Sequence, residues 1–149
     1  METNSIHIYD KAKYHQEEVE ENGLAVYHSY HHTIFFFSWL VQNNLTSDSF
    51  ELESEGELTK YRKGEISINK LYEWWDTCLA SDMLSSKGNA FAMFYFDFSN
   101  GSYLSDYHEY LQKELPTEFH VPYTQENENI IHVVISERYD EWSHSKNDA

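Results

Sequence analysis

Histidine is the residue type in this sequence that most readily suggests chemistry, because nine histidines occur and three lie within Tyr27–His32. His28 and His32 are four residues apart, so on an α-helix they would share one face, a spacing that metal ligands use. A zinc-protease helix carries Glu directly after its first His, and Ser29 stands there instead. Ordinary histidines at the start of a buried helix are the interpretation that we favour. We therefore predict no metal site. His28 and His32 are the candidate ligands for the alternative, in which a metal is bound.

Sequence patterns of catalysis are otherwise missing. Neither a Gly-x-Ser-x-Gly nucleophile elbow, nor a Gly-rich phosphate loop, nor an EF-hand occurs. The only cysteine, Cys78, cannot form an internal disulfide or a cysteine-based zinc site, and its place on an apolar stripe predicts a buried structural thiol. Carboxylates are so numerous that no pair of them indicates acid–base catalysis. We expect no enzymatic activity, no catalytic residues and no cofactor.

Acidic residues cluster in two places. Residues 17–21 form a dense run, whereas residues 51–57 carry Glu at every second position. In an extended segment the four alternating side chains would point the same way, and their mutual repulsion would favour a basic partner. A solvated, mobile loop is the alternative. The candidate partner-binding residues are both clusters and two aromatic residues that could anchor an interface: Glu17, Glu18, Glu20, Glu21, Glu51, Glu53, Glu55, Glu57, Trp74 and Tyr103.

The overall charge also favours a basic partner. The 149 residues include 26 acidic and 10 basic side chains, which gives a formal net charge of −16. Disordered acidic chains contain few aromatic residues, whereas this chain has 12 Tyr, 9 Phe and 4 Trp, so we expect a folded domain. A folded anionic surface repels nucleic acid and anionic membranes and attracts basic proteins. We expect a monomer or homodimer that binds neither nucleic acid nor membrane.

The length predicts a single domain over residues 1–149, with a partly irregular N-terminal segment at 1–27 and a frayed tail at 143–149. The first residues have neither the basic nor the apolar region of a signal peptide. The longest apolar run, Ile34–Val41, is far shorter than the roughly 20 residues that cross a bilayer. We therefore expect a cytoplasmic protein.

Apolar residues recur at helical spacing in five segments. His31–Asn44 is apolar on nearly all sides, which is typical of a buried central helix, although a buried strand is the alternative. The other predicted helices are Ser67–Leu79, Asn89–Phe98, Leu104–Leu111 and Thr124–Trp142. Ile130–Ile135 is β-branched and could instead form a strand, and a short strand is possible near Ile6–Tyr9. We predict a mainly α bundle of about five helices around a central aromatic helix, with an α+β fold containing a small sheet as the alternative.

The stretches to compare with known families are Asp10–His15, His32–Leu40 with Asn44-Leu45, Lys87–Ala92, Tyr103–Tyr107 and His120–Asn127. Together they resemble a family of small, acidic, uncharacterised bacterial proteins that look like the immunity proteins of polymorphic toxin systems. The similarity covers roughly residues 10–142 and implies a mainly helical domain without a known catalytic site, which binds its toxin through a variable surface. The sequence departs from the family at Phe35–Phe37, where three Phe replace a mixed apolar sequence, and at 98–102, a small local extension.

The charge and the resemblance together favour an immunity protein that neutralises a basic bacterial toxin by direct binding. A nuclease is the toxin class that fits best, because its active-site face must be basic to hold phosphates. Two alternatives stay open. One is a phage-type inhibitor that mimics nucleic acid, and the other is a small acidic or metal-dependent enzyme.

Overall fold

The computed structural model describes residues 5–147, and helices dominate it. Within this range the chain forms eight α-helices and a two-stranded antiparallel sheet, so the mainly α prediction is confirmed together with the small sheet of its alternative. In the described part of the chain, no helix is both long enough and apolar enough to cross a membrane. The strands and helices are β1 (Ile8–Lys11), α1 (Gln16–Glu21), α2 (His31–Gln42), α3 (Asp48–Glu53), α4 (Glu55–Arg62), α5 (Ile68–Trp74), β2 (Cys78–Ala80), α6 (Ser86–Tyr95), α7 (Tyr103–Tyr107) and α8 (Gln125–Asn147).

Short helical turns of other types join these elements. A π-helical segment, His108–Gln112, continues α7. The 3-10 turns are Ala12–Tyr14, Val26–Tyr30, Ser81–Met83 and Glu118–His120. As a result, residues 8–21 of the N-terminal segment form β1, a 3-10 turn and α1, which is more regular structure than the sequence predicted there.

The central helix of the fold is α2. It packs against both α5 and α8, so Phe35, Phe36 and Phe37 are all buried although they point in different directions. The helix ends at Gln42, two residues before the predicted end. Asn44 then adopts a left-handed φ of 57°, which Asn tolerates, and the Leu45 amide donates to the Leu40 carbonyl at 3.0 Å. This arrangement is a common way to satisfy the last carbonyls of a helix.

The predicted helix Ser67–Leu79 is wrong beyond Trp74. Ser67 caps α5 as expected, since its side chain accepts a hydrogen bond from the Lys70 amide. Asp76 and Thr77 then have positive φ values of 57° and 49°, which reverse the chain. The following residues pair with β1 in the sheet, where their backbone groups gain partners that a longer helix would not supply. Cys78 is therefore a half-buried residue of β2, not a buried thiol on a helical stripe.

The C-terminal helix runs past its predicted end. Thr124 caps α8, because its hydroxyl accepts a hydrogen bond from the Asn127 amide at 3.1 Å. Ile130–Ile135 is helical, so the strand alternative is wrong: Ile131, Val134 and Ile135 are buried at helical spacing against the bundle. The helix continues to Asn147, so residues 143–147 are helical where the sequence predicted fraying, and residues 148 and 149 lie outside the described residues.

Gly88 allows α6 to approach the backbone after α2. A Cβ at position 88 would lie 2.4 Å from the carbonyl oxygen of Leu45, so a side chain there requires the helix to move. We expect Gly88→Ala to lower the free energy of unfolding by about 2 kcal/mol, because overpacking outweighs the better helix propensity of Ala. Gly56→Ala in α4 is the matched control: beyond the adjacent backbone of its own helix, nothing lies within 4 Å of a Cβ placed there, and we expect a gain of about 0.5–1 kcal/mol. Urea denaturation of both variants tests this, and equal gains would contradict the close approach.

Candidate functional site

A buried carboxylate with two imidazole neighbours is the most unusual polar feature of the described residues. Asp10 lies in β1, and its side chain is only 2% exposed because it points at the first turn of α2. One carboxylate oxygen, Oδ1, lies 2.6 Å from Nε2 of His15, and Oδ2 lies 3.2 Å from Nε2 of His32. The Thr33 hydroxyl also donates to Oδ2. We call these four residues the Asp10 cluster.

The two histidines of the Asp10 cluster come from different elements. His15 precedes α1, and its side chain is 20% exposed, whereas His32 lies in the first turn of α2 and is buried. Their ring centroids are 4.9 Å apart in an edge-to-face arrangement, and Phe119 packs against both rings at 5.3 Å. Nδ1 of His32 is buried without a hydrogen-bond partner. The cluster is therefore enclosed on the His32 side and open to solvent on the His15 side.

The charges in the Asp10 cluster stabilise one another. Burial raises the pKa of Asp10, but the hydrogen bonds and charges of His15 and His32 outweigh burial and hold that pKa well below its ordinary value. Burial lowers the pKa of His15, whereas the Asp10 carboxylate raises it, and the net effect is a raised pKa. The site therefore keeps an ionised carboxylate in the interior and binds positive charge beside it. One donor atom from each of Asp10, His15 and His32 lies within 4.8 Å of the others, so these three side chains could hold a metal ion.

The predicted pair of His28 and His32 does not form. His28 lies in the 3-10 turn Val26–Tyr30, before α2 begins, so the two residues do not share a helical face. Nδ1 of His28 lies 2.9 Å from the carbonyl oxygen of Phe119, while His32 faces Asp10. The neighbours of His32 are thus Asp10 and His15, not the predicted His28.

The first acidic cluster lies on a short helix at the surface. Glu17, Glu18, Glu20 and Glu21 are exposed on α1, while Val19 between them is buried and holds the helix to the fold. None of the four glutamates forms an ion pair with any residue that the structure describes. This surface therefore carries uncompensated negative charge.

The second acidic cluster is not extended, and the prediction that its four side chains face one way is wrong. Residues 51–57 belong to α3 and α4 with Ser54 between them, so alternate residues point in different directions around the helices. Glu51 already has partners within the fold, because it accepts a hydrogen bond from Thr46 at 2.6 Å and pairs with Arg62 at 3.3 Å. Glu53 and Glu55 are exposed, and Glu57 is partly exposed.

The two predicted aromatic anchors differ in exposure. Trp74 is 56% exposed at the end of α5, so it is available to a partner. Tyr103 is fully buried, and the prediction that it anchors an interface is wrong. Its hydroxyl donates to the His32 carbonyl at 2.5 Å, and its ring packs against both Phe36 and Phe96. Tyr103 therefore supports the Asp10 cluster from the core.

Sequence reasoning missed Asp10 and His15 as site residues. Both belong to a stretch that carried the family resemblance, but their separation of five residues, with His32 seventeen residues further on, matches no metal-ligand spacing. They meet because β1 brings Asp10 to the start of α2, and the pairing of β1 with the distant β2 helps to fix that position. The usable indication was an Asp directly after the segment predicted as a strand near Ile6–Tyr9, since a buried Asp requires partners.

A second polar site lies on the other side of α2. A cavity of about 630 Å³ opens between α2, α4 and α8, and Glu128 and His132 line it. The Tyr123 hydroxyl donates to Glu128, and Nε2 of His132 lies 3.0 Å from the Phe35 carbonyl oxygen and 2.9 Å from the Ser38 hydroxyl. Burial lowers the pKa of His132 and outweighs the opposing effect of Glu128. The Glu128 and His132 side chains of this cavity thus already have hydrogen-bond partners within the fold.

Comparison with known proteins places the chain in a family without assigning an activity. Neither the curated proteins nor the solved structures gave a match. The profile of one family, described as Domain of unknown function (DUF7832), matches residues 8–121. That match begins at β1, includes the whole Asp10 cluster and ends before α8. Because the match covers well over half of the sequence, the chain belongs to the DUF7832 family.

Proposed function

We propose that the protein is a cytoplasmic immunity protein that neutralises a basic bacterial toxin by binding it through the surface around α1. The observation that carries this proposal is the set of exposed, unpaired glutamates on that helix: Glu17, Glu18, Glu20 and Glu21. Such a surface attracts a cationic protein and needs no catalytic group of its own. The toxin would supply the compensating charge that this chain lacks.

The charge balance of the whole fold supports this proposal. Among the described residues, Lys and Arg side chains pair with four carboxylates, namely Glu51, Glu73, Asp106 and Glu141. The chain has 26 acidic residues in all, so most of the carboxylates in the described part of the chain have no Lys or Arg partner there. An excess of this kind destabilises a compact protein through self-repulsion. A basic partner would relieve that repulsion and gain affinity from it.

Exposed aromatic and apolar side chains adjoin the acidic helix. α1 packs beside the 3-10 turns Ala12–Tyr14 and Val26–Tyr30, and these turns present Tyr14, Val26 and Tyr27, each more than half exposed. Aromatic residues at the centre of an interface contribute much of its binding energy, while surrounding charges steer association. We call Tyr14, Tyr27 and the four glutamates the α1 surface, and Tyr14 and Tyr27 take the anchoring role that buried Tyr103 cannot.

A nuclease is the toxin class whose chemistry fits the α1 surface. An enzyme that cleaves nucleic acid must present a basic face to hold phosphates, and carboxylates arranged on a folded surface can occupy that face in their place. Association between such surfaces is accelerated by electrostatic steering and slows as salt screens the charges. A cofactor plays no part in this mode of inhibition.

The first experiment identifies the partner and tests protection. The tagged chain is co-purified from its native host, and the captured protein is then expressed alone and with this chain. We expect the captured protein to be basic, to halt growth when expressed alone and to be harmless when the two are co-expressed. A captured protein that is not toxic would contradict the proposal. A captured host nuclease complex would support the phage-type mimic instead.

Neutralising α1 should slow association with that partner. We expect the variant Glu17→Gln, Glu18→Gln, Glu20→Gln, Glu21→Gln to associate about tenfold more slowly at low salt, with a weaker salt dependence than the unchanged chain. The matched control removes the same charge elsewhere on the surface: Glu114→Gln, Glu126→Gln, Glu137→Gln and Asp140→Asn. Surface plasmon resonance at several salt concentrations measures both rates. Equal effects of the two variants would show that α1 is not the contact surface.

A further inference from the structure

We propose that Asp10, His15 and His32 form a binding site for a divalent transition-metal ion, with zinc as the ion that their donor set fits best. Two imidazole nitrogens and one carboxylate oxygen are a donor set of catalytic zinc sites, and the same set also holds ferrous iron. The site adjoins the α1 surface, because His15 directly precedes α1, but its test does not depend on finding a toxin.

Each histidine nitrogen lies near one carboxylate oxygen of Asp10, and one donor atom from each of the three residues lies within 4.8 Å of the others. Zinc bonds of about 2.0–2.2 Å place neighbouring ligands of a tetrahedral site about 3.3 Å apart. The distance from Oδ2 of Asp10 to Nε2 of His32 is already 3.2 Å. The distance from Oδ1 of Asp10 to Nε2 of His15 is 2.6 Å, a hydrogen bond that would open by less than about 1 Å when metal replaces the shared proton. His15 can make this movement because it precedes a short helix and is partly exposed.

Neighbouring residues hold Asp10 and His32 in place, as is typical of metal ligands. The Thr33 hydroxyl donates to Asp10 and fixes the orientation of its carboxylate, as outer hydrogen bonds do around metal ligands. Tyr103 holds the backbone of His32 from the core. Nδ1 of His32 has no hydrogen-bond partner, so every polar interaction of that buried ring runs through Nε2, the atom that faces Asp10.

An ion can reach the donors and is attracted to them. His15 opens the cluster to solvent, and the charges of Glu18 and Glu118 act on its ring. Phe98 and Phe119 pack against the His32 ring and exclude water from the inner side. Three protein ligands leave a fourth position for a water molecule, as in zinc sites that take part in reactions. The metal-dependent enzyme, one of the alternatives from the sequence, would act here and not at His28.

Metal titration of the full chain tests the proposal. The purified protein is freed of metal with a chelator, and Zn²⁺ is added in a calorimeter, with Co²⁺ and Fe²⁺ titrated in parallel. We expect one equivalent of Zn²⁺ to bind, and Co²⁺ to give the visible absorption of a nitrogen- and oxygen-ligated ion. His15→Gln and Asp10→Asn should each weaken Zn²⁺ binding by about 100-fold or more. His28→Gln is the control and should leave the affinity unchanged, because its ring lies outside the donor set.

A second measurement covers the possibility that a cluster variant fails to fold. Nitrogen chemical shifts of the histidine rings in the unchanged chain should show Nε2 of both His15 and His32 changing on addition of one equivalent of Zn²⁺. Unchanged shifts at these two rings would overturn the proposal whatever the variants do. A chain that binds none of the three ions, or folded His15→Gln and Asp10→Asn variants with the original affinity, would overturn it as well. Tighter binding of Fe²⁺ than of Zn²⁺ would overturn the choice of zinc.

Discussion

The free energy of unfolding is expected to fall by about 4 kcal/mol when Phe36 is replaced by Ala. The side chain is fully buried in α2, and its ring stacks on Phe96 with centroids 4.6 Å apart and contacts Tyr103 at 5.6 Å. Truncation removes the apolar surface of a whole ring and leaves a cavity between helices that cannot collapse freely. Because domains of this size are stable by about 5–15 kcal/mol, this single change removes a large part of the total.

The exposed Phe94 provides the control for that prediction. It is 59% exposed on α6 and its ring lies 6.5 Å from Trp142, so Phe94→Ala should cost less than about 1 kcal/mol. Urea denaturation followed by tryptophan fluorescence measures both variants. A cost below about 1.5 kcal/mol for Phe36→Ala would mean that the core around α2 repacks, and would contradict this prediction.

Replacing Asp106 by Ala is expected to cost about 3 kcal/mol. This carboxylate is buried in α7, accepts a hydrogen bond from Tyr95 at 2.7 Å and forms two 3.0 Å hydrogen bonds with the Arg138 guanidinium of α8. Its removal leaves the Tyr95 hydroxyl without a partner in the interior. Breaking a buried pair typically costs 3–5 kcal/mol, and the lower end applies because the Arg138 side chain is 43% exposed and can turn to water.

Glu141 is the control residue, because its replacement distinguishes the loss of the buried network from the loss of an exposed charge. It also pairs with Arg138, at 3.5 Å, but its own side chain is 70% exposed. Glu141→Ala should therefore change the free energy of unfolding by less than about 1 kcal/mol. A double-mutant cycle between Asp106→Ala and Tyr95→Phe measures the coupling directly. Additive losses would show that the Tyr95 hydroxyl does not depend on Asp106.

The helices could be predicted from the sequence wherever one apolar face or a capping residue determines them. The all-apolar stretch around Phe36 became a buried helix, and the caps Ser67 and Thr124 begin α5 and α8 as expected. The end of α5 could not be predicted, because Trp75 and Cys78 continue the helical pattern while the backbone turns at Asp76. There the pairing of β2 with β1, a contact between distant segments, outweighs the local pattern.

The candidate site was less predictable than the fold for the same reason. His32 was recognised, but its partners were sought four residues away on one helix, whereas they come from β1 and from the residue before α1. The exposure of Tyr103 was also predicted wrongly. A tyrosine side chain suits both an interface and a buried core, so its residue type does not distinguish the two. The acidity of α1 could be read directly, because a run of four glutamates has no place in an interior.

During synthesis on the ribosome, the residues of the Asp10 cluster are made well before β2, the strand that pairs with β1. Asp10, His15, His32 and Thr33 all emerge within the first quarter of the chain, whereas Ala80, which pairs with Ile8, emerges only after more than half has been made. Until then the backbone groups of β1 hydrogen-bond to water, and Asp10 can reach only those early partners. The nascent chain thus contains every residue of the Asp10 cluster before it has the strand partner that helps to position Asp10.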